Sequence, residues 1–476
     1  MATLPRTELS GWNHLEQAQA IAGYYEVARN ESYPCAEGHI IMETLIRQLI
    51  ADSMEQAWPE LLRREGALVE LPDMASVLIG MRRTGKTYRL FQRMRELLDE
   101  GVNRHRILYL NFEDERLGTV DADFLRAVDE SYQRTYPAAA GAISYYFFDE
   151  IQYVDGWERF VRRILDRRDT RVYLTGSSSK LLSREVATSM RGRAVETRIQ
   201  PYSFPEFLAA RHLEVPGDPD KAGRKQRALL EHALTDYLRE GGFPAVQGLS
   251  ERERRQVLQG YVNIVVLRDV VERHGLTGIA ALRYLTRRLL ASSASHFSVN
   301  KFHNELKSQG LKCGKDTLHD YLQHLEDAFL FAGVFLDSPS ERRRMVNPRK
   351  MYAADQGLVW ACVPPGGNWG EGRALENAVH TELLRRGFEP CYGITANGYE
   401  IDFVVVRPDG QCLAIQVCAE ADAPATLERE VRALADTDPS TELLLLTLFN
   451  EDRLEIQGRK ISILPAWKWF LNVKEQ

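Results

Sequence analysis

Gly80-Met81-Arg82-Arg83-Thr84-Gly85-Lys86-Thr87 sets a glycine at each end of a short loop and closes on a lysine and a hydroxyl, the spacing of a phosphate-binding P-loop. A row of anionic oxygens asks for backbone N–H groups that converge, and short residues allow the backbone to come that close. Lys86 would reach the β- and γ-phosphates, Thr87 would place its hydroxyl on Mg²⁺, and Arg82, Arg83 and Thr84 would line the loop. A helix opening near Tyr88 would turn its positive end toward the same anions. The context agrees: Val77-Leu78-Ile79 precedes as a buried-type strand, and Leu90, Phe91, Met94, Leu97 and Leu98 follow at helical spacing.

Hydrolysis needs a metal carboxylate and a group that orients water. Tyr145-Tyr146-Phe147-Phe148-Asp149-Glu150 supplies both at the end of an apolar strand, a Walker B pattern in which Asp149 holds Mg²⁺ and Glu150 polarises the attacking water. The next apolar run, Val172 to Thr175, delivers Gly176-Ser177-Ser178, and Ser177 or Ser178 is the candidate sensor of the γ-phosphate. Arg191 and Arg193 in Met190-Arg191-Gly192-Arg193 are the candidates to stabilise transition-state charge, from the same chain or from a neighbour. ATP and Mg²⁺ are therefore the expected ligands.

These groups need a scaffold. A chain of 476 residues exceeds one core of ordinary size, so three or so domains are expected. Residues 1–68 read as a helical N-terminal extension, with Leu45, Ile46, Leu49 and Ile50 on one face. Residues 69–210 alternate strands and helices, which predicts an α/β core built on a parallel sheet with its ligand at the carboxyl ends of the strands. Residues 211–280 read as a helical lid or linker, broken at Gly241-Gly242-Phe243-Pro244. Residues 281–355 give three helices, a strand, a charged turn at Glu341-Arg342-Arg343-Arg344 and a second strand, the order of a winged helix. Residues 356–476 form a last α/β unit.

At 44% hydrophobic and 27% charged with a net charge of −6, the composition is that of an ordinary soluble protein without a global basic footprint. The first thirty residues hold no apolar signal core and no stretch is long enough to span a bilayer, so a cytoplasmic protein without a membrane partner is expected. The six cysteines are scattered with no C-x-x-C pair, which points to reduced thiols rather than structural zinc.

The set G-M-R-R-T-G-K-T, F-F-D-E-I-Q, L-T-G-S-S-S, M-R-G-R and Pro201-Tyr202-Ser203-Phe204-Pro205-Glu206-Phe207 resembles the archaeal-type ATPases of the AAA+ and STAND superfamily. Gly241-Gly242-Phe243-Pro244, Leu267-Arg268-Asp269-Val270-Val271 and Met351 to Leu358 extend the resemblance, which runs from about Leu45 to the C-terminus. It implies an ASCE/AAA+-type P-loop core. In the last unit, Glu376 on a helix, Glu400-Ile401-Asp402 entering a strand and Ile415-Gln416-Val417-Cys418 on the next resemble the restriction-endonuclease-like PD-(D/E)xK fold. There two acids and an E-x-K triplet gather Mg²⁺ for phosphodiester cleavage. Gln416 stands for the acidic ligand and Cys418 for the lysine, which predicts a weak or inactive domain.

Nucleic acid, with DNA favoured, is the expected partner, and a protein partner or self-association stays open. The contacts would come from Lys315 and His319 on the third helix of the winged-helix unit and from Arg342, Arg343 and Arg344 on its wing. Between Val299 and Lys350 there are nine Lys or Arg against seven Asp or Glu, so this unit lacks the excess that phosphate contacts usually leave. The stretch Arg159 to Arg198 is more basic, with eleven against four. Three functions follow: an ATPase that scans or remodels DNA, a STAND-like nucleotide switch acting on protein partners, or an ATP-regulated nuclease.

Overall fold

The computed structural model describes residues 36–137, 142–176, 190–364, 369–419 and 424–472. Helix α1 (Ala36–Glu55) leads into β1 (Ala75–Ile79), α2 (Lys86–Asp99), β2 (Ile107–Asn111), α3 (Ala122–Thr135), β3 (Ser144–Asp149), α4 (Trp157–Leu165), β4 (Thr170–Gly176) and β5 (Ala194–Arg198). The five strands make one sheet in the order β2-β3-β4-β1-β5, every pair parallel. Strand residues alternate between its two faces, and both faces are covered. Leu78, Tyr109, Phe147 and Tyr173 pack on Leu90, Phe91, Met94 and Leu97 of α2. Val77, Leu108, Phe148 and Leu174 face the other way, into a core shared with Leu45, Ile46, Leu49 and Ile50 of α1 and with α3 and α4. Burial on both faces explains why these strands read as unbroken apolar runs.

The strand order matters for chemistry. The P-loop strand β1 and the acidic strand β3 are not neighbours, because β4 lies between them. Whatever side chain ends β4 therefore stands between the P-loop and Asp149.

Beyond the sheet come α5 (Phe204–Ala210), α6 (Arg224–Glu240), α7 (Glu251–Ile264) and a π-helical stretch, Val265–Glu272, that continues α7. Then follow α8 (Ile279–Ala291), β6 (Ser295–Phe297), α9 (Val299–Ser308), α10 (Lys315–Asp327), β7 (Phe331–Val334), α11 (Glu341–Val346) and β8 (Arg349–Ala353), with the strands in an antiparallel sheet ordered β6-β8-β7. Two details differ from the sequence reading. The expected charged turn is the short helix α11, because the Ser340 hydroxyl accepts the Arg343 N–H and caps its start. Strand β6, of three residues, is too short to leave a periodic signal.

The chain closes with α12 (Gln356–Cys362), α13 (Glu371–Arg385), β9 (Cys391–Ile394), β10 (Glu400–Val406), β11 (Cys412–Cys418), α14 (Pro424–Ala435), β12 (Glu442–Thr447), β13 (Asp452–Ile456), β14 (Arg459–Pro465) and α15 (Ala466–Leu471). Its mixed sheet runs β9-β10-β11-β12-β14-β13. One continuous apolar core reaches from Leu45 to Leu471, so these parts are packed against each other.

A backbone knot joins three of them. The buried Asp355 carboxylate accepts the N–H of Gly242 at 2.7 Å and of Gly357 at 2.8 Å, while Gly242 gives its carbonyl to the Tyr202 N–H at 2.7 Å. A Cβ on Gly242 would sit 2.4 Å from the Tyr202 oxygen, and one on Gly357 would sit 2.3 Å from the Glu240 oxygen. The G-G-F-P and Y-A-A-D-Q-G-L motifs thus serve close backbone approach, although burial pushes the Asp355 carboxyl up to about 6.

Arg64, in the segment between α1 and β1, is a second tie. Its guanidinium donates to Glu206 at 2.9 Å, to the Thr84 carbonyl at 2.8 Å and to the Gln200 carbonyl at 2.6 Å. Burial alone would raise the Glu206 carboxyl, but Arg64 and Arg385 beside it hold it below the ordinary carboxylate range. Removing one partner would leave the other charge buried and unpaired. Arg64→Ala is expected to cost about 3–5 kcal/mol of stability, read as a fall of several degrees in Tm; a midpoint within a degree of wild type would deny Arg64 this role.

Candidate active site

The P-loop leaves β1 in a conformation that its glycines require. Gly80 has φ 144°, and a Cβ there would lie 2.3 Å from the Ile199 carbonyl oxygen; Gly85 has φ 101°, in the left-handed region. Between them Arg83 also takes a positive φ of 68°. Helix α2 starts at Lys86 with no side-chain cap, so the N–H groups of its first turn stay free for an anion. The Lys86 ammonium is buried and donates to the carbonyls of Gly80 at 3.1 Å and Met81 at 3.2 Å. Burial lowers its pKa, and the negative charges of Glu150 and Asp149 oppose that. A dehydrated cation among uncapped amides suits a polyphosphate. Thr84 is buried and bonds the Met81 carbonyl at 3.0 Å, while Arg83 and Tyr88 are exposed.

Asp149 ends β3 on the same edge. Burial raises its pKa, while hydrogen bonds from Thr175, Thr87 and Tyr109 work in the opposite direction. The Tyr109 hydroxyl donates to it at 2.9 Å, and the Thr175 hydroxyl donates to its other oxygen. Thr175 also accepts the Glu150 N–H at 2.9 Å, so one hydroxyl at the end of β4 fixes both acids. Glu150 itself has φ 55°, a strained backbone for this residue type, and its carboxylate accepts a hydrogen bond from Gln152. Asp149 and the Thr87 hydroxyl offer the hard oxygen donors that Mg²⁺ takes.

The structure thus gathers Lys86, Thr87, Asp149 and Glu150 as the sequence suggested. Other expectations change. Ser177 and Ser178 lie outside the described residues; the hydroxyl that the sequence reading passed over is Thr175, earlier in the same L-T-G-S-S-S run. Arg82 was expected on the phosphates, yet its side chain turns to the π-helical stretch, bonding Asp269 at 2.9 and 3.0 Å, Glu113 at 3.0 Å and the Tyr153 hydroxyl at 3.3 Å. Asp269 belongs to the L-R-D-V-V motif, which was quoted without a role.

Arg193 needs a correction as a catalytic residue in its own chain. Its carbonyl accepts the N–H of Ala75, the first residue of β1, and its side chain pairs with Asp166. The P-loop follows the last residue of β1, about 16 Å away at ~3.3 Å per residue. Arg191 sits on the turn before it, Met190 to Arg193, and lines an open cleft with Asp121, Asp155 and Arg159. A strand length separates this turn from the phosphates.

In the C-terminal unit, Glu376 and Asp402 come together, but around a lysine that no motif pointed to. Lys350 of β8 lies 3.0 Å from Glu376 and 2.8 Å from Asp402, and Tyr352 donates to Glu376 at 2.8 Å. Burial, together with Asp402, pushes Glu376 up to about 7. Gln416 accepts the Asp402 N–H at 3.1 Å and donates to Glu430 at 2.7 Å, and Cys418 is buried beside Thr447 on the neighbouring strand. Of the nucleic-acid candidates, Lys315, His319, Arg342 and Arg343 are exposed, while Arg344 lies over the Phe335 ring and pairs with Glu341.

Residues 73–208 match the AAA domain family, and residues 231–364 match a domain of unknown function, DUF8612. An uncharacterised protein of Methanocaldococcus jannaschii, MJ1544, is 32% identical over 447 residues, covering 90% of this chain and 95% of its own. An uncharacterised protein of Haemophilus influenzae is 31% identical over 415 residues, covering 86% and 98%. Among solved structures, the Walker-type ATPase PABY2304 of Pyrococcus abyssi is similar at 16% identity and a TM-score of 0.36, covering 67% of this chain and 94% of its own. The Aeropyrum pernix ORC2 protein is similar at 13% and 0.34, covering 75% and 97%.

Thr175→Val keeps the shape of the side chain and deletes both hydrogen bonds. ATP hydrolysis should fall roughly 10- to 100-fold, the loss of about 1–3 kcal/mol, with nucleotide affinity little changed. Separate measurement of kcat and of nucleotide binding checks this.

Proposed function

Because the chain belongs to one family with the M. jannaschii and H. influenzae proteins and contains an AAA domain, we propose that it is a Mg²⁺-dependent ATPase whose nucleotide state governs a DNA-binding wing. The observation that carries the ATPase part is the meeting of Lys86, Thr87, Asp149 and Glu150 at one sheet edge, with Thr175 holding the last two. Lys86 would exchange the carbonyls of Gly80 and Met81 for β- and γ-phosphate oxygens. Thr87 and Asp149 would hold Mg²⁺, which supplies neutralisation of the developing phosphate charge. Glu150, fixed through its N–H, would orient water and draw off its proton. Arg191 and Arg193 would act only from a neighbouring copy.

Support for the DNA reading comes from residues 279–353, where a helix, a short strand, two helices and two strands separated by α11 follow the order expected of a winged helix. At its tip, α11 holds Arg342 and Arg343 in solvent beside Met345 and Val346, which are 72% and 76% exposed. Exposed cations beside apolar side chains suit a duplex groove. Lys315 and His319 of α10 would add contacts from the same unit. A second reading, a switch that acts on protein partners, is favoured by the Arg82–Asp269 bond, which ties the P-loop directly to the π-helical stretch after α7.

ATP hydrolysis measured with and without single- and double-stranded DNA tests the proposal. Double-stranded DNA should stimulate the wild type, with stimulation lost as salt rises. Replacing Arg342, Arg343 and Arg344 together by Ala should remove stimulation and leave the basal rate. No stimulation by either DNA form, with ATP-dependent self-association instead, would select the protein switch.

A further inference from the structure

Lys350 belongs to strand β8, yet its ammonium is buried in the C-terminal unit. The side chain is 4% exposed, and Nζ lies 3.0 Å from Glu376, 2.7 Å from Glu400 and 2.8 Å from Asp402. An ammonium has three N–H donors and no acceptor, and here three carboxylates surround it. Tyr352 follows two residues along the strand, hence on the same face, and its hydroxyl donates to Glu376 at 2.8 Å. Strand β8 thereby brings a cation and a hydroxyl to the acids that the resemblance to restriction endonucleases marks for metal.

With Lys350 in place the residues do not fit a divalent metal. The position expected to give a third acidic ligand is Gln416, a neutral amide whose oxygen accepts the Asp402 N–H and whose nitrogen donates to Glu430. Asp402 has its second oxygen engaged by the Val417 N–H at 3.0 Å. Mg²⁺ demands close octahedral oxygens and keeps several waters, whereas the space between Glu376 and Asp402 is filled by Nζ of Lys350. Cys418, where a triplet lysine would stand, offers no positive charge. The centre has a cation already, on a neighbouring element.

We infer that Lys350 is the resident cation of this acidic centre, taking the place of the divalent metal, so that Glu376, Glu400 and Asp402 clamp strand β8 to the C-terminal unit instead of cleaving phosphodiesters. The nuclease-like framework then works as a socket for the wing-bearing sheet. This stands apart from the ATPase reading, since no group of the P-loop takes part.

Mn²⁺ titrated into the nucleotide-free full-length protein and followed by electron paramagnetic resonance tests it. Wild type and Asp402→Asn should bind equal numbers of Mn²⁺, because the native centre holds none. Lys350→Ala should gain one Mn²⁺ per chain, and Lys350→Ala combined with Asp402→Asn should lose that gain. The Tm of Lys350→Ala should lie below wild type and recover with Mn²⁺. A wild-type Mn²⁺ site that disappears in Asp402→Asn, or Mg²⁺-dependent DNA cleavage abolished by that change, would overturn the inference. So would a folded Lys350→Ala that gains no site. The wild-type and Asp402→Asn comparison decides the matter even where Lys350→Ala does not fold.

Discussion

Lys86, Asp149 and Glu150 are buried together at one edge of a sheet, where little water screens them. An ammonium in that position loses its hydration and is kept by nearby carboxylates and by the carbonyls of its own loop. The arrangement tolerates no drift, and the strand order prevents it. Because β4 lies between the P-loop strand and the acidic strand, its terminal Thr175 can donate to one acid and accept from the backbone of the next. A single hydroxyl sets the geometry of Asp149 and of the Glu150 backbone at once.

The P-loop is gripped from several sides by parts of the chain far away in sequence. Arg64 bonds the Thr84 carbonyl, Ile199 presses against Gly80, and Arg82 reaches Asp269. These contacts join the loop to the segment before β1, to the residue that follows β5 and to the π-helical stretch. That stretch packs on α8, α8 packs on the antiparallel sheet, and the Asp355 knot holds the same sheet's exit against Gly242. The clamp at Lys350 fixes its other side.

The P-loop and the Asp149-Glu150 pair were legible because both are local: a few adjacent residues state the chemistry, and an apolar strand states the position. The apolar runs at Val77 to Ile79, Tyr145 to Phe148 and Val172 to Thr175 likewise lie in β1, β3 and β4, since burial on both faces leaves an uninterrupted apolar run. Arg64, Asp269 and Lys350 were not legible, because each acts on a partner between 20 and 187 positions away. Thr175 was within reach, as a hydroxyl ending a strand predicted to run beside the site. Arg193 was correctable too: it precedes a strand of a parallel sheet, and residues before a strand lie on the edge opposite the ligand. At the far end of the chain, Gln416 and Cys418 showed in the sequence where the restriction-endonuclease-like pattern is broken, but the meeting of Lys350 with Glu376 and Asp402 depends on how β8 meets α13.

The proposal on which the rest depends is that this edge of the sheet hydrolyses ATP through Glu150 while binding it through Lys86 and its neighbours. Glu150→Gln tests it most directly, measured for ATP affinity and for turnover in parallel. Affinity should stay within about threefold of wild type while the rate falls by roughly 100-fold or more, as for loss of a general base. Turnover at the wild-type rate, or loss of binding together with turnover, would contradict it.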